Sequence, residues 1–141
     1  MNRNNNNKAE VPRALRIWFV IHFAIDMAFA LPLMVAPGLL LRGLGWQSID
    51  PFTARLVAAA LFGIGIESLL ARNSRPEVFK GMLNLKIIWS LSAVVGIAIS
   101  MVSAGAERPR FSWLLLGTFI AFNFVWLYWR RRIGRILYRN C

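Results

Sequence analysis

The sequence predicts an all-α fold, a polytopic membrane four-helix bundle with both termini in the cytoplasm. The 141-residue chain is 57% hydrophobic and only 16% charged, and its mean hydropathy is +0.52. A soluble domain of this length carries more charge and fewer apolar residues. Lys and Arg cluster at the ends of apolar segments, so the net charge of +11 indicates anionic lipid headgroups and not nucleic acid as the partner.

The predicted membrane domain covers residues 14–130. Residues 1–13 are polar and include an asparagine run, which is typical of a disordered tail. The apolar stretch from Ile17 to Val35 is long enough to cross a hydrocarbon core of about 30 Å, with Pro32 as a possible kink. Helices are predicted over about 14–36, 51–71, 79–106 and 111–130.

A cleavable signal peptide is the alternative for the first helix. A basic start, an apolar stretch and the triplet Ala28-Phe29-Ala30 fit that pattern and predict a mature chain beginning near Leu31. His22 and Asp26 interrupt the apolar stretch, and hydrophobicity continues past the triplet. Both observations favour a retained helix.

The later helices have recognisable starts. Residues 38–46 are apolar but short and glycine-punctuated, which is typical of a segment lying in the membrane interface. Asp50 and Pro51 form an N-cap and a first-turn proline for the second helix, and Pro76 is suited to begin the third. Small residues recur every fourth position in both helices, which predicts close helix packing; they are Ala59 and Gly63, then Ser92, Gly96 and Ser100.

The basic segment 131–141 is predicted to continue as an amphipathic tail. It alternates bases with Ile133, Ile136 and Leu137, so it could lie on the membrane as a headgroup anchor. The simpler alternative is a stop-transfer signal. The candidate headgroup ligands are Arg130, Arg131, Arg132 and Arg135.

Orientation follows from the distribution of basic residues. The N-terminal tail, the second loop with the start of the third helix, and the C-terminal tail hold thirteen Lys or Arg, whereas the first and third loops hold four. Cytoplasmic loops carry the excess of positive charge, so both termini are expected in the cytoplasm, in the cell membrane of a prokaryote.

Four ionisable residues are predicted to meet inside the bundle: His22, Asp26, Glu67 and Lys86. Such groups are costly in lipid and should face inward in pairs. His22 and Asp26 share a helix face, and Glu67 lies at the same depth as Lys86, which gives the pairs His22–Asp26 and Glu67–Lys86. The cluster could bind a small solute or relay protons, or it could only fix helix packing. Asn123 is expected to make an interhelical hydrogen bond.

The pattern suggests no catalytic residue, metal site or identifiable cofactor. The single cysteine, Cys141, excludes an intrachain disulfide framework, and the lone histidine argues against a metal or hydrolase site. An enzyme is therefore the less favoured class.

The stretch Asp50-Pro51-Phe-Thr-Ala-Arg55, leading into an Ala- and Gly-rich helix in a four-helix chain of this size, resembles the small prokaryotic DoxX-like membrane proteins. The resemblance implies a four-helix bundle, some of whose members associate with redox enzymes or quinones. Three functional classes follow, in order of preference: a non-enzymatic membrane component or complex subunit, a small-solute or proton-coupled transporter, and a lipid-binding or lipid-modifying enzyme. The sequence leaves open whether the chain forms a homo-oligomer.

Overall fold

A computed structural model of the chain describes residues 10–105 and 109–138. This part is all-helical, and four of its helical segments are long and apolar enough to cross a membrane, as the sequence predicts. The helices are α1 (Arg13–Val35), α2 (Pro37–Gly43), α3 (Pro51–Leu70), a 3₁₀ helix (Ala71–Asn73), α4 (Pro76–Ala104) and α5 (Ser112–Tyr138). Most of the predicted tail 1–13, part of the third loop and residues 139–141 lie outside the described residues.

Asp50-Pro51 and Pro76 mark helix starts as the sequence indicates, although α4 begins three residues before its predicted bound of about 79. Asp50 caps α3, where its carboxylate accepts hydrogen bonds from the Phe52 N–H at 3.0 Å and the Thr53 N–H at 3.2 Å, and from the Thr53 hydroxyl. The Thr53 hydroxyl and these backbone donors hold the pKa of the exposed Asp50 carboxyl below its ordinary value. Pro51 and Pro76 each lie in the first turn of their helix. Backbone N–H groups in the first turn have no intrahelical acceptor, so the N–H that proline lacks costs no hydrogen bond there.

The bundle consists of two closely packed helix pairs, α1 with α3 and α4 with α5. Its two ends differ in content. One end, here called the termini end, joins the start of α1 to the 3₁₀ helix, where the Arg16 guanidinium donates to the Arg72 carbonyl at 2.8 Å. The other, the distal end, holds α2 and the segments 44–50 and 109–111; there the Arg55 guanidinium donates to the Met34 carbonyl at 3.2 Å.

A core of large side chains fills the termini end. It joins α1, α4 and α5 and includes the aromatic residues Phe19, Phe79 and Trp126. The buried core at the distal end is smaller: Leu33, Ala54 and Ala58, with partly buried neighbours. The two helix pairs are therefore joined most firmly near the chain termini.

The basic C-terminal segment does not form a separate element. Helix α5 runs unbroken to Tyr138, and Ile133 is fully buried in the termini-end core with Val11 and Leu15. Ile136 and Leu137 pack against the same core. These apolar side chains therefore do not lie on the membrane as the anchor alternative requires, because the N-terminal segment offers them an apolar surface within the protein. The stop-transfer alternative is not affected.

The predicted packing ridges on α3 and α4 are also wrong. Ala59 and Gly63 are exposed, as are Ser92, Gly96 and Ser100. On a helix, residues four apart differ in direction by about 40°. A row of every fourth residue therefore turns gradually away from the helix that it packs against. The buried residues of α3 are instead spaced by uneven steps, and they are Ala54, Ala58, Ile64, Gly65 and Ser68.

Candidate functional site

A buried polar cluster lies where the two helix pairs meet. His22 and Asp26 come from α1 and Lys86 from α4, and these residues are only 8%, 5% and 1% exposed. Ser68 of α3 completes the cluster and is fully buried. Three of the four predicted ionisable residues are thus brought together.

Lys86 is the centre of the cluster. Its ammonium donates to the Ser68 hydroxyl at 2.7 Å and lies 3.0 Å from His22 Nδ1. The Ser68 hydroxyl donates in turn to the Ile64 carbonyl at 2.5 Å, which leaves its lone pairs directed at Lys86. The ammonium also lies 5.1 Å from the centre of the Phe19 ring and 5.0 Å from that of Trp126, within cation–π range. Aromatic faces and two polar atoms therefore replace water around this charge.

His22 Nδ1 has two competing neighbours. Asp26 Oδ2 lies 2.8 Å from this nitrogen, and Lys86 Nζ lies 3.0 Å from it. An imidazole nitrogen offers either one lone pair or one proton, so it cannot serve both partners at once. If Lys86 donates as an ammonium, the ring proton lies on Nε2 and no proton separates Nδ1 from Asp26.

Asp26 consequently has a buried oxygen without a partner. Oδ2 lies 2.8 Å from Nδ1, but with no proton on that nitrogen it accepts no hydrogen bond within residues 10–105 and 109–138. The nearest opposite charge to Asp26 is that of the Lys86 ammonium. With His22 neutral, the charges of Asp26 and Lys86 therefore sum to zero. The row Lys86–His22–Asp26 has room for one further proton, between Nδ1 and Oδ2.

Gly65 shapes the position of Asp26. A Cβ atom at Gly65 would lie 2.9 Å from both Asp26 Cβ and Met27 Cε, and 3.2 Å from Asp26 Oδ2. Real Cβ atoms do not approach this closely, so only glycine lets α3 lie against α1 here. At Gly63 a Cβ would meet no atom within 4 Å.

A second set of hydrogen bonds joins α4 to α5 beside the cluster. The Asn123 amide donates to the Ser90 hydroxyl at 2.8 Å and to the Ile87 carbonyl at 3.1 Å, and the Ser90 hydroxyl donates to the Lys86 carbonyl at 2.8 Å. The predicted interhelical bond of Asn123 is confirmed. The roles of Ser68 and Ser90 were not predicted. The available signal in the sequence was that both are polar residues within apolar helices.

The predicted Glu67–Lys86 pair is wrong. Glu67 is exposed on the outer side of α3, whereas its neighbour Ser68 points inward to Lys86. Glu67 and Ser68 lie at nearly the same depth in the membrane, but successive residues on a helix point about 100° apart. Depth alone therefore could not show which of the two side chains faces Lys86. Lys86 takes its counter-charge from Asp26 on α1.

The surroundings of the cluster differ on its two sides. Towards the termini end, the His22 ring contacts Trp126 and Phe122 edge-on, with ring centres 5.1 and 5.3 Å away, and Phe19 packs on Phe79 at 4.6 Å. Towards the distal end, a cleft of about 1150 Å³ reaches down α4 to Ala93. Ala93 is one helical turn from Ser90, about 4.5 Å along the axis.

The four arginines predicted to contact headgroups lie at the termini end. Arg130 is partly buried and donates to the Asn84 side-chain oxygen at 2.5 Å, and Arg132 lies 5.3 Å from the centre of the Trp129 ring. Arg131 and Arg135 are exposed. At least Arg130 thus has a role in joining α5 to α4.

Comparison of the chain with protein-family models, with curated proteins and with solved structures finds no match. Among the described residues, no three His, Cys, Asp or Glu side chains form a group that could hold a metal ion.

Proposed function

We propose that this chain is a small non-enzymatic integral membrane protein whose interior cluster binds and releases a proton. One observation supports the proposal most directly: His22 Nδ1 lies between an amine and a carboxylate and can satisfy only one of them. A group built only to fix helix packing would be expected to satisfy each of its buried polar atoms.

The proton would enter on the Asp26 side. Binding between Oδ2 and Nδ1 gives the unpartnered oxygen a hydrogen bond and leaves the cluster with a net positive charge. Lys86 then loses its acceptor on His22 and keeps Ser68 and the two aromatic faces. The proton can leave again because a buried net charge is costly in a membrane interior.

We further propose that the termini end faces the cytoplasm. Lys86 belongs to the interior cluster, so it no longer counts as a loop charge, and twelve Lys or Arg then flank the termini end against four at the distal end. Under this orientation the packed aromatic core separates the cluster from the cytoplasm. The distal cleft provides the shorter route for a proton.

A membrane-embedded subunit and a proton-coupled carrier both fit such a site, and the DoxX-like resemblance favours the subunit. Proteoliposomes carrying an enclosed pH-sensitive dye distinguish them, because a carrier gives proton flux above that of empty vesicles. Asp26→Asn should abolish that flux, while Glu67→Gln, the matched change at the exposed acid, should leave it intact.

A subunit gives no flux but still binds the proton. In that case the thermal stability of the purified protein should depend on pH in the pH 5–8 range that a histidine cluster senses, and Asp26→Asn should remove the dependence. The proposal is wrong if Asp26→Asn alters neither the flux nor the pH dependence of stability.

A further inference from the structure

The cleft at the distal end is separate from the polar cluster and has apolar walls. Its α4 and α5 wall includes Ala93, Ile97, Met101 and Leu115, and its opposite wall is the segment 43–48. The volume of about 1150 Å³ is slightly above the range of ordinary ligand pockets. Because α1 packs with α3 and α4 with α5, the cleft lies beside a less tightly joined part of the bundle.

Among the described residues that line the cleft, Arg110 at its mouth is the only one with a positive charge. Arg110 lines it and is exposed, and its guanidinium makes no hydrogen bond or ion pair with any described residue. The other described arginines of the distal end are engaged, Arg42 with the Gly38 carbonyl and Arg55 with the Met34 carbonyl. Gln47 and Ser48 add hydrogen-bonding groups, and the described lining contains no carboxylate.

This combination fits one ligand chemistry. An apolar trough along a membrane-crossing helix suits an acyl chain, and an exposed guanidinium with polar groups at its mouth suits a phosphate. Trp46 lies in the same lining, and tryptophan is typical of headgroup depth. A small polar solute would leave the apolar walls uncovered.

We propose that the distal cleft binds an anionic phospholipid from the bilayer, with an acyl chain along α4 and the phosphate at Arg110. Gly96 lies in the wall of the cleft, where a Cβ would meet no atom within 4 Å, so the acyl chain can lie directly against the α4 backbone. Ser100, one turn further, donates its hydroxyl to the Gly96 carbonyl at 2.8 Å and so presents little polarity to the chain.

The test compares two glycines in the α4–α5 pair. Gly96→Phe places a ring in the cleft from its wall, starting from a Cβ that meets no atom within 4 Å. Gly117→Phe is the matched control, since Gly117 is also exposed, also meets no atom within 4 Å, and does not line the cleft. Each variant is reconstituted with equal amounts of phosphatidylcholine and phosphatidylglycerol, exchanged into detergent, and its retained lipid measured by mass spectrometry.

Wild-type protein and Gly117→Phe should retain phosphatidylglycerol in preference to phosphatidylcholine. Gly96→Phe should reduce the retained amount by about tenfold, equal to 1.4 kcal/mol of binding free energy. Arg110→Gln gives a second reading that does not depend on filling the cleft, because it should abolish the preference for the anionic lipid. Arg75→Gln, at the exposed arginine before α4 on the termini end, is its control.

Equal retention by Gly96→Phe and wild type would overturn the proposal. So would wild-type protein that retains only a free fatty acid or both phospholipids equally, or an Arg110→Gln variant that keeps the anionic preference. These readouts do not involve proton binding, so the lipid site and the proton site can fail independently.

Discussion

The two halves of the bundle solve the same problem, joining two helix pairs in lipid, in different ways. The termini half uses fully buried large side chains, among them Phe19, Phe79 and Trp126. The distal half uses small and aliphatic ones, Leu33, Ala54 and Ala58, and leaves a cleft. The polar cluster lies between these halves. The cluster is therefore closed on one side by packed side chains, and on its other side lies a cleft that another molecule can fill.

Removing the positive charge of Lys86, in the cluster between the two halves, should have the largest effect on stability. Lys86→Met leaves Asp26 as a buried carboxylate with no counter-charge, so we expect a loss of about 3–5 kcal/mol in the free energy of unfolding. Reversible unfolding in mixed micelles, followed by circular dichroism, measures the loss. Lys80→Met is the control at an exposed position of the same helix and should change stability by less than about 0.5 kcal/mol.

The double variant Lys86→Met with Asp26→Asn sharpens this prediction. It removes both charges and should recover part of the stability that Lys86→Met loses, because the uncompensated carboxylate is gone. Strictly additive losses, or a Lys86→Met variant as stable as Lys80→Met, would show that the two charges are not coupled.

Equivalent leucines test the difference in packing between the halves. Leu83 of the termini-end core is 0% exposed, and Leu33 of the distal core is 8% exposed. Leu83→Ala should cost about 3–4 kcal/mol and Leu33→Ala about 2 kcal/mol, because a cavity in a tightly packed region collapses less. The same unfolding assay measures both. Equal losses would remove the distinction between a rigid and a looser half.

Two nearby glycines of α3 test the contact that positions Asp26. Gly65→Ala should destabilise the protein by about 1–3 kcal/mol, since its Cβ would overlap α1. Gly63→Ala has open space and should stabilise by about 0.5–1 kcal/mol through helix propensity. If the two variants have the same stability, α1 does not approach α3 at Gly65.

The smallest effect is expected at the start of α3. The lowered pKa of Asp50 means that its contribution to stability is present above the pKa of the unfolded chain and is lost as pH falls through the folded pKa. Melting curves between pH 5 and pH 2 should therefore show a small acid-dependent loss in wild type. Asp50→Asn, which still caps the helix but does not titrate there, should lack that component.

Much of the fold could be predicted because local chemistry determines it. Pro51, Pro76 and the Asp50 cap mark helix starts in the sequence itself, and the four-residue spacing of His22 and Asp26 places them on one face. The partner of Lys86 could not be predicted in the same way, since the choice between Glu67 and Ser68 depends on how α3 is rotated in the bundle.

The packing of the C-terminal segment could not be predicted for a related reason. An amphipathic pattern shows that Ile133, Ile136 and Leu137 share an apolar face, but not which apolar surface covers it. Membrane and protein are both apolar, so the pattern is equally consistent with a bilayer and with Val11 and Leu15. The deciding information is tertiary.

The most direct test of the central claim is the protonation state of His22, the only histidine in the chain. Protein labelled with ¹⁵N-histidine gives one pair of ring nitrogen signals, whose shifts identify the tautomer. At neutral pH we predict an unprotonated Nδ1 in wild type, with the proton on Nε2. In Lys86→Met the proton should move to Nδ1 and be donated to Asp26. A protonated Nδ1 in both proteins would contradict the account.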